Sequence, residues 1–285
     1  QREQARQMQK NQLLLQAISL SVMSSSFEDS LRSCVGIICE MANWPIGHVC
    51  FHDADRQCLT SSDIWTLPDD DHYVQLRRHS DALTFASGEG IPGRIWAAAA
   101  PTWFSELNDA RFQRTGSLSI HGAFGFPVIA HDETIAVVEF FTPSHVAPDP
   151  QVLTLAGSVG HQLGQMVERR RQAEERARIA AIVESSYDAI IGKDLQGRIT
   201  SWNRGAELVY GYTEVEAVGQ TVALLLPPGV TTEEPEITKA VENRRRLVQF
   251  ETTARRKDWQ LIVVAMTVSP ILDSRDQMVG TSSIE

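Results

Sequence analysis

Side chains able to do chemistry are few in this chain and unevenly placed. All four cysteines, Cys34, Cys39, Cys50 and Cys58, fall between positions 34 and 58 of the 285. Thiols serve as nucleophiles, redox couples or metal ligands, and the redox and metal uses usually show as CxxC spacing with histidines close by. No CxxC is present, and no histidine stands at the familiar metal spacing from a cysteine. Cys34 and Cys39 are spaced for a helix facing a core and Cys50 for a buried strand, where free cysteine packs as a small hydrophobe. Among the histidines, His121, His131, His145 and His161 are potential haem ligands, but three of them sit in turn-like or helix-surface contexts that suit an ordinary solvated imidazole. No catalytic constellation is legible. The expectation is a non-catalytic cytoplasmic protein with reduced thiols and no metal.

Charge and length bound the rest. The formal charge of -10 over 285 residues argues against nucleic acid as a partner, since a phosphate-binding surface normally shows as a basic excess. The basic runs Arg169-Arg170-Arg171 and Arg244-Arg245-Arg246 are local and interleaved with acids, as solvated faces are. No apolar run approaches the roughly 20 residues of a membrane span, and no signal-peptide pattern opens the chain. The length exceeds one ordinary core and fits two domains. The sequence starts at Gln1 and stops at Glu285 in strand-like residues, which suggests a fragment of a longer protein with its output domain elsewhere.

The element that must organise these residues begins at Pro148-Asp149-Pro150 and runs without proline from Gln151 to Tyr187. Val152, Val159, Met166, Ala173 and Ala180 repeat every seven residues, and Ala156, Leu163 and Ala177 form a second row, with Arg170 the one charged exception. This pattern predicts a single helix of about 50 Å, at about 1.5 Å per residue. Its first half is apolar enough to pack on the preceding domain, and its charged second half leaves a narrow seam for a partner. Residues 1–12 are polar and helix-favouring, and Met8, Leu15 and Val22 repeat the same spacing. A homodimer through the N-terminal and connecting helices is therefore expected.

Around this rod the chain divides into a helical extension (1–12), a first domain (13–150), the connecting helix (151–185) and a second domain (186–285). In the first domain, Phe27 to Met41 reads as a buried-face helix ended by Asn43-Trp44-Pro45. Ile46–His52 and Leu59–Trp65 suit strands, and a helix through Leu76 and Leu83 follows the acidic Asp69-Asp70-Asp71. Gly88 to Gly93 is a turn cluster leading into Arg94-Ile95-Trp96. Gly122–Ala130 and Ile135–Thr142 are strands around the turn His131 to Thr134. In the second domain, strands Asp188–Asp194 and Arg198–Trp202 flank Leu195-Gln196-Gly197. Asn203 is placed as a helix N-cap, and Thr213-Glu214-Val215-Glu216 is a capping box. A helix over Pro235–Asn243 and three closing strands, Leu247–Arg256, Leu261–Val268 and Met278–Ile284, complete it. The fold class is α+β, with two antiparallel sheets carrying helices and joined by a long helix.

Two families are resembled at this point. Gly90-Ile91-Pro92-Gly93-Arg94-Ile95-Trp96, Gly125-Phe126-Pro127-Val128, Val137 to Phe141 and Gly160-His161-Gln162-Leu163-Gly164 are similar to motifs of GAF domains of bacterial signalling proteins. That resemblance implies a six-stranded antiparallel sheet whose helices close a pocket for a small molecule, here near Trp96, Phe112, His121 and Phe124. Asp188 to Gly197, Trp202 to Glu207, Tyr210-Gly211-Tyr212-Thr213 and Val268-Ser269-Pro270-Ile271 resemble a PAS domain, which implies a five-stranded sheet and a pocket near Ile190, Trp202, Asn203 and Tyr210. Lys257-Asp258-Trp259 departs from that pattern, because the family usually has glycine in this hairpin turn.

The residues then test what such pockets hold. No histidine follows His161, which argues against histidine-ligated haem in the PAS-like domain. No cysteine follows Cys58, so a cysteinyl-flavin adduct has no sulfur there, and the GAF-like domain lacks the cysteine on which a bilin is usually carried. A free methionine sulfoxide reductase, which some GAF relatives are, would need reactive pocket thiols. The functional expectation is a sensory and dimerising input module regulating a histidine kinase. The alternatives are a diguanylate cyclase input or a ligand-free scaffold for protein partners.

Overall fold

The computed structural model describes residues 26–68, 71–105, 107, 120–230 and 247–285. The expected N-terminal extension, Phe112 and the helix over Pro235–Asn243 lie outside these residues. By contact the chain forms two compact units, Gln1–Gln172 and Ala173–Glu285.

The first unit is built on a six-stranded antiparallel sheet of order β3-β2-β1-β6-β5-β4. Its strands are β1 Ile46–Asp53, β2 Cys58–Thr66, β3 Thr84–Phe85, β4 Thr102–Phe104, β5 Gly122–Ala130 and β6 Glu133–Thr142. Helix α1, Phe27–Ala42, starts at Ser26, whose hydroxyl accepts the Asp29 N–H, and ends in the left-handed Asn43. Helices α2, Asp71–Asp81, and α3, Gly90–Ala98, follow. Leu83 falls beyond α2 and is exposed, and α3 begins inside the glycine cluster rather than after it. The β5–β6 turn is tighter than expected: His131 and Asp132 both take positive φ, giving a two-residue connection that matches the twist of the strands.

Alternation along the strands sends side chains to two separate cores. One face carries Val49, Phe124, Phe126, Val138 and Phe140, packed with Leu31, Val35 and Ile38 of α1 and with Ala156, Val159 and Leu163. The other carries Ile46, Cys50, Leu59, Val137 and Phe141, covered by Leu76, Ile91 and Ile95.

Helix α4, Pro150–Glu184, is continuous as the heptad predicts. Its seam is put to two uses. Ala156, Val159 and Leu163 are buried in the core of the first unit, so they are not available to a partner helix, and Val152 and Met166 are half-buried. Arg170, Ala173, Ala177 and Ala180 are exposed on the single chain.

The second unit has a five-stranded antiparallel sheet of order β8-β7-β11-β10-β9. Its strands are β7 Ile190–Asp194, β8 Ile199–Trp202, β9 Leu247–Arg255, β10 Leu261–Leu272 and β11 Met278–Ile284. Helices α5, Arg204–Tyr210, and α6, Glu214–Ala217, and a 3-10 turn, Val222–Leu225, lie between β8 and β9. Gly211 ends α5 in the left-handed region, and Thr213 and Glu216 form the reciprocal capping box read from sequence. Strand β10 extends four residues beyond Val268 to Leu272, pairing with β11 through Pro270.

The hairpin where glycine was missing closes without it. Trp259 donates its N–H to Arg256 O at 3.0 Å and takes φ +70°, with its ring 4.5 Å from the Arg255 guanidinium and largely exposed. A bulky residue in the left-handed region is strained by about 1–2 kcal/mol, and an exposed cation–π contact returns about 0.5–1 kcal/mol. Trp259→Gly should therefore leave stability unchanged or raise it by up to about 1 kcal/mol. Chemical denaturation of both proteins checks this, and a loss above 1 kcal/mol would mean that the ring is held by more than Arg255.

Candidate functional sites

In the second unit, the side chains converge on a cavity of about 50 Å³, room for roughly three or four water-sized groups. Ile191 and Lys193 enter from β7, Tyr210 from α5, Val222 and Leu225 from the 3-10 turn, Met266 from β10 and Ser283 from β11. The walls are mostly apolar, but one end is a polar cluster. The Tyr210 hydroxyl and the Ser283 hydroxyl (3.1 Å) both donate to the Glu285 carboxylate, and Lys193 lies buried beside it. Of the residues expected at this pocket, Tyr210 lines the cavity. Ile190, Trp202 and Asn203 are not among its lining residues. Trp202 is buried and donates from its indole to Tyr212 O at 3.0 Å, packing against Tyr210 in the core.

Burial pushes the Glu285 carboxyl up to about 7, against the opposing pull of Lys193. The sign follows from proton linkage. Between the ordinary glutamate range and pH 7 the folded state holds a proton that the unfolded chain has lost, so stability falls as pH rises through that window and levels off above it. Glu285→Gln keeps an acceptor for Tyr210 and removes the charge. It should stabilise the second unit by roughly 2–3 kcal/mol at pH 8 and by almost nothing at pH 4.5. Hydrogen exchange of β7 and β11 amides at the two pH values reads this out, and equal effects at both would contradict it.

Asn203 does different work. Its side-chain oxygen accepts the N–H groups of Ala206 (2.9 Å) and Ile190 (2.8 Å), and its amide donates to Val183 O (2.9 Å) and Asp188 O (3.0 Å). One buried side chain thus caps α5, holds the start of β7 and anchors the last turn of α4.

In the first unit the expected pocket residues are separated. Phe124 is fully buried in the core under α1 and α4, stacked against Trp103 and Phe140. Trp96 packs at the edge of the core on the opposite face, 4.8 Å from the His52 ring. His121 is half-buried at the start of β5, its ring stacked on His145 at 4.1 Å. The β-strand alternation that divides the two cores keeps Trp96 and Phe124 apart.

Cys34 and Cys39 are buried on α1 and Cys50 on β1, as their spacing predicts. Burial pushes the Cys34 and Cys39 thiols up to about 12, so both stay protonated and inert near neutral pH. Cys50, however, has a histidine in ligand reach. His48 and Cys50 project from the same face of β1 and meet Glu139 of β6, a buried trio. The signal in the sequence is a histidine and a cysteine two apart on one strand, which CxxC-type spacing does not capture.

Comparison with known proteins agrees with this architecture. The family model for the GAF domain matches residues 24–168 and that for the PAS fold matches residues 177–282. The chain belongs to the GAF domain family, with a PAS fold in tandem. The signal transduction histidine-protein kinase AtoS of Escherichia coli K12 is 30% identical over 128 residues, which cover 44% of this chain and 20% of that kinase, so the match spans about a fifth of the relative's length. Among solved structures, the PAS domain of a Colwellia psychrerythraea protein is 36% identical, covering 38% of this chain and 92% of that one, with a TM-score of 0.36. The GAF domain of an Acinetobacter phosphoenolpyruvate-protein phosphotransferase is 13% identical, covering 58% of this chain and 98% of that one, with a TM-score of 0.47.

Proposed function

We propose that this chain is a non-catalytic sensory and dimerising input region of a cytoplasmic signalling protein, and that it regulates a histidine kinase output domain outside these residues. The observation that carries the proposal is the division of labour along α4. Its first half is part of the GAF core, its last turn is held by Asn203 at the start of the PAS sheet, and the stretch between exposes a seam of Ala173, Ala177 and Ala180. A rod gripped in this way carries a change of GAF packing as rotation or translation along its axis. Alanine seams bury little area, so two packings of paired helices can lie within a few kcal/mol, the range a ligand can tip. The likeness to AtoS supports a kinase as the output.

The small volume of the PAS cavity favours a few-atom ligand, or none, over a flavin or haem in this unit. The exposed basic run of α4 interleaves with Glu168, Glu174 and Glu175, which supports a solvated helix without a nucleic-acid partner.

The test is a phase experiment. The chain is placed ahead of a histidine kinase core, and one to seven residues are inserted after Arg176. Kinase activity should vary with the helical phase of the insert and return to the parent level at seven, one full heptad. Activity independent of insert length would overturn transmission through the helix.

A further inference from the structure

We propose that His48, Cys50 and Glu139 form a binding site for one divalent first-row transition-metal ion of the Zn²⁺ type, within the GAF sheet and on the face away from α4. The inference is independent of the signalling proposal above.

Strand pairing creates the site. His48 lies directly opposite Glu139 in the antiparallel β1–β6 ladder, and Cys50, two residues on, points to the same face. All three residues have zero solvent exposure. His48 Nδ1 is 2.8 Å from Glu139 Oε1, and Cys50 Sγ is 3.7 Å from that nitrogen and 3.9 Å from that oxygen. Both neighbours therefore meet the same ring nitrogen. A nucleophilic relay needs thiol and carboxylate on opposite nitrogens of the imidazole, so this geometry does not make one. A tetrahedral Zn²⁺ with bonds of about 2.0–2.3 Å sets ligand-to-ligand edges of roughly 3.3–3.6 Å. The observed triangle reaches that shape if the short edge opens by about half an ångström and the two long edges close slightly.

The surroundings orient the imidazole as a ligand. Ser61 donates its hydroxyl hydrogen to Asp81 Oδ1 at 3.1 Å, which leaves its oxygen to accept from His48 Nε2 at 2.9 Å. A proton fixed on Nε2 directs the Nδ1 lone pair at Glu139 and Cys50, and a carboxylate oxygen at 2.8 Å from a lone pair requires a positive species between them, either a proton or a metal ion. A hydrogen bond to the other ring nitrogen is how outer-shell groups fix the tautomer and orientation of a ligating histidine, and here the Ser61 hydroxyl fills that place. Trp65 stacks on the His48 ring at 3.7 Å and fixes its plane. Nitrogen, thiolate sulfur and one carboxylate oxygen form a borderline donor set, which suits Zn²⁺, Co²⁺ or Fe²⁺ and disfavours Mg²⁺ and Ca²⁺. Three protein ligands leave a fourth position for water or a small molecule.

The test uses the whole 285-residue chain, stripped with a chelator and dialysed against Co²⁺ or Zn²⁺. Expected are one ion retained per chain, a cobalt–thiolate charge-transfer band with tetrahedral d–d absorption, and an X-ray absorption fine structure containing one sulfur at about 2.3 Å. Cys50→Ser should abolish the charge-transfer band and Cys58→Ser should leave it intact. Ser61→Ala, outside the ligand set, should weaken binding about 10–100-fold without changing stoichiometry. Retention of no ion, a band that persists in Cys50→Ser, or an absorption spectrum with no sulfur shell would overturn the site and leave a buried imidazolium–carboxylate pair. The sulfur shell is measured on the unsubstituted chain, so the test stands even if Cys50→Ser does not fold.

Discussion

Asn203→Ala should destabilise the PAS unit by about 3–4 kcal/mol. The side chain makes four hydrogen bonds from a buried position. Truncation leaves the Ile190 and Ala206 N–H groups without their acceptor, each costing about 1–3 kcal/mol if unsatisfied, whereas Val183 O keeps the Ser186 N–H at 3.3 Å and the Asp188 carbonyl belongs to an exposed residue. Loss of the helix cap alone is worth about 1 kcal/mol. Asn203→Asp separates the two halves of the arrangement. A carboxylate still accepts from Ile190 and Ala206, but it turns a charged oxygen towards the carbonyls of Val183 and Asp188. The aspartate defect should therefore fall on the contacts to the end of α4 and the start of β7 while the cap of α5 is kept. Urea denaturation followed through hydrogen exchange of β7 measures both variants. An alanine variant within 1 kcal/mol of the parent would mean that the last turn of α4 is not held by this residue.

The second large effect falls on the other end of the same helix. A Cβ added at Gly164 would lie 1.9 Å from Ile129 O, and one at Gly160 would lie 2.5 Å from Pro127 O. Both obstacles are backbone atoms of β5, which no rotamer change can clear. Gly164→Ala must lift α4 from the sheet and open the contacts of Val159 and Leu163. We expect a loss of about 3 kcal/mol or more, equivalent to a fall of roughly 6–12 °C in the melting temperature of a unit this size. Gly36→Ala is the internal control. Nothing lies within 4 Å of its added methyl, and a helix-interior alanine should stabilise by up to about 1 kcal/mol. Calorimetry of the two variants distinguishes close approach from helix propensity, and a Gly164→Ala melting temperature equal to the parent's would refute the packing argument.

The elements that were legible in the sequence were those set by local chemistry. The heptad and the proline-free run fixed α4, Asn203 and Thr213 announced their caps, and the two sheets followed from alternation and turn residues. What sequence could not supply was meeting across strands. His48 and Glu139 are 91 residues apart and become neighbours only through the β1–β6 register. The Lys193, Ser283 and Glu285 end of the PAS cavity depends likewise on β7 pairing with β11. The GAF resemblance implies one pocket for Trp96 and Phe124, yet strand alternation sends Phe124 to the face away from α3. Along α4, a single periodic pattern served two surfaces, because a residue that fills its own domain's core and one that waits for a partner obey the same spacing. Gly160 and Gly164 marked the boundary between those uses, since only a helix pressed against backbone needs glycine at one-turn spacing.

We propose that the exposed half of α4 meets its copy in parallel, and cysteine cross-linking tests this most directly. In a Cys58→Ser background, Ala177→Cys places a thiol on the seam and Glu175→Cys places one on the far side of the same turn. Disulfide formation requires Cα atoms within about 7 Å. The prediction is fast, complete cross-linking of Ala177→Cys and none of Glu175→Cys. Cross-linking of Glu175→Cys instead, or a monomer by sedimentation that forms neither bond, would contradict the paired-helix mechanism.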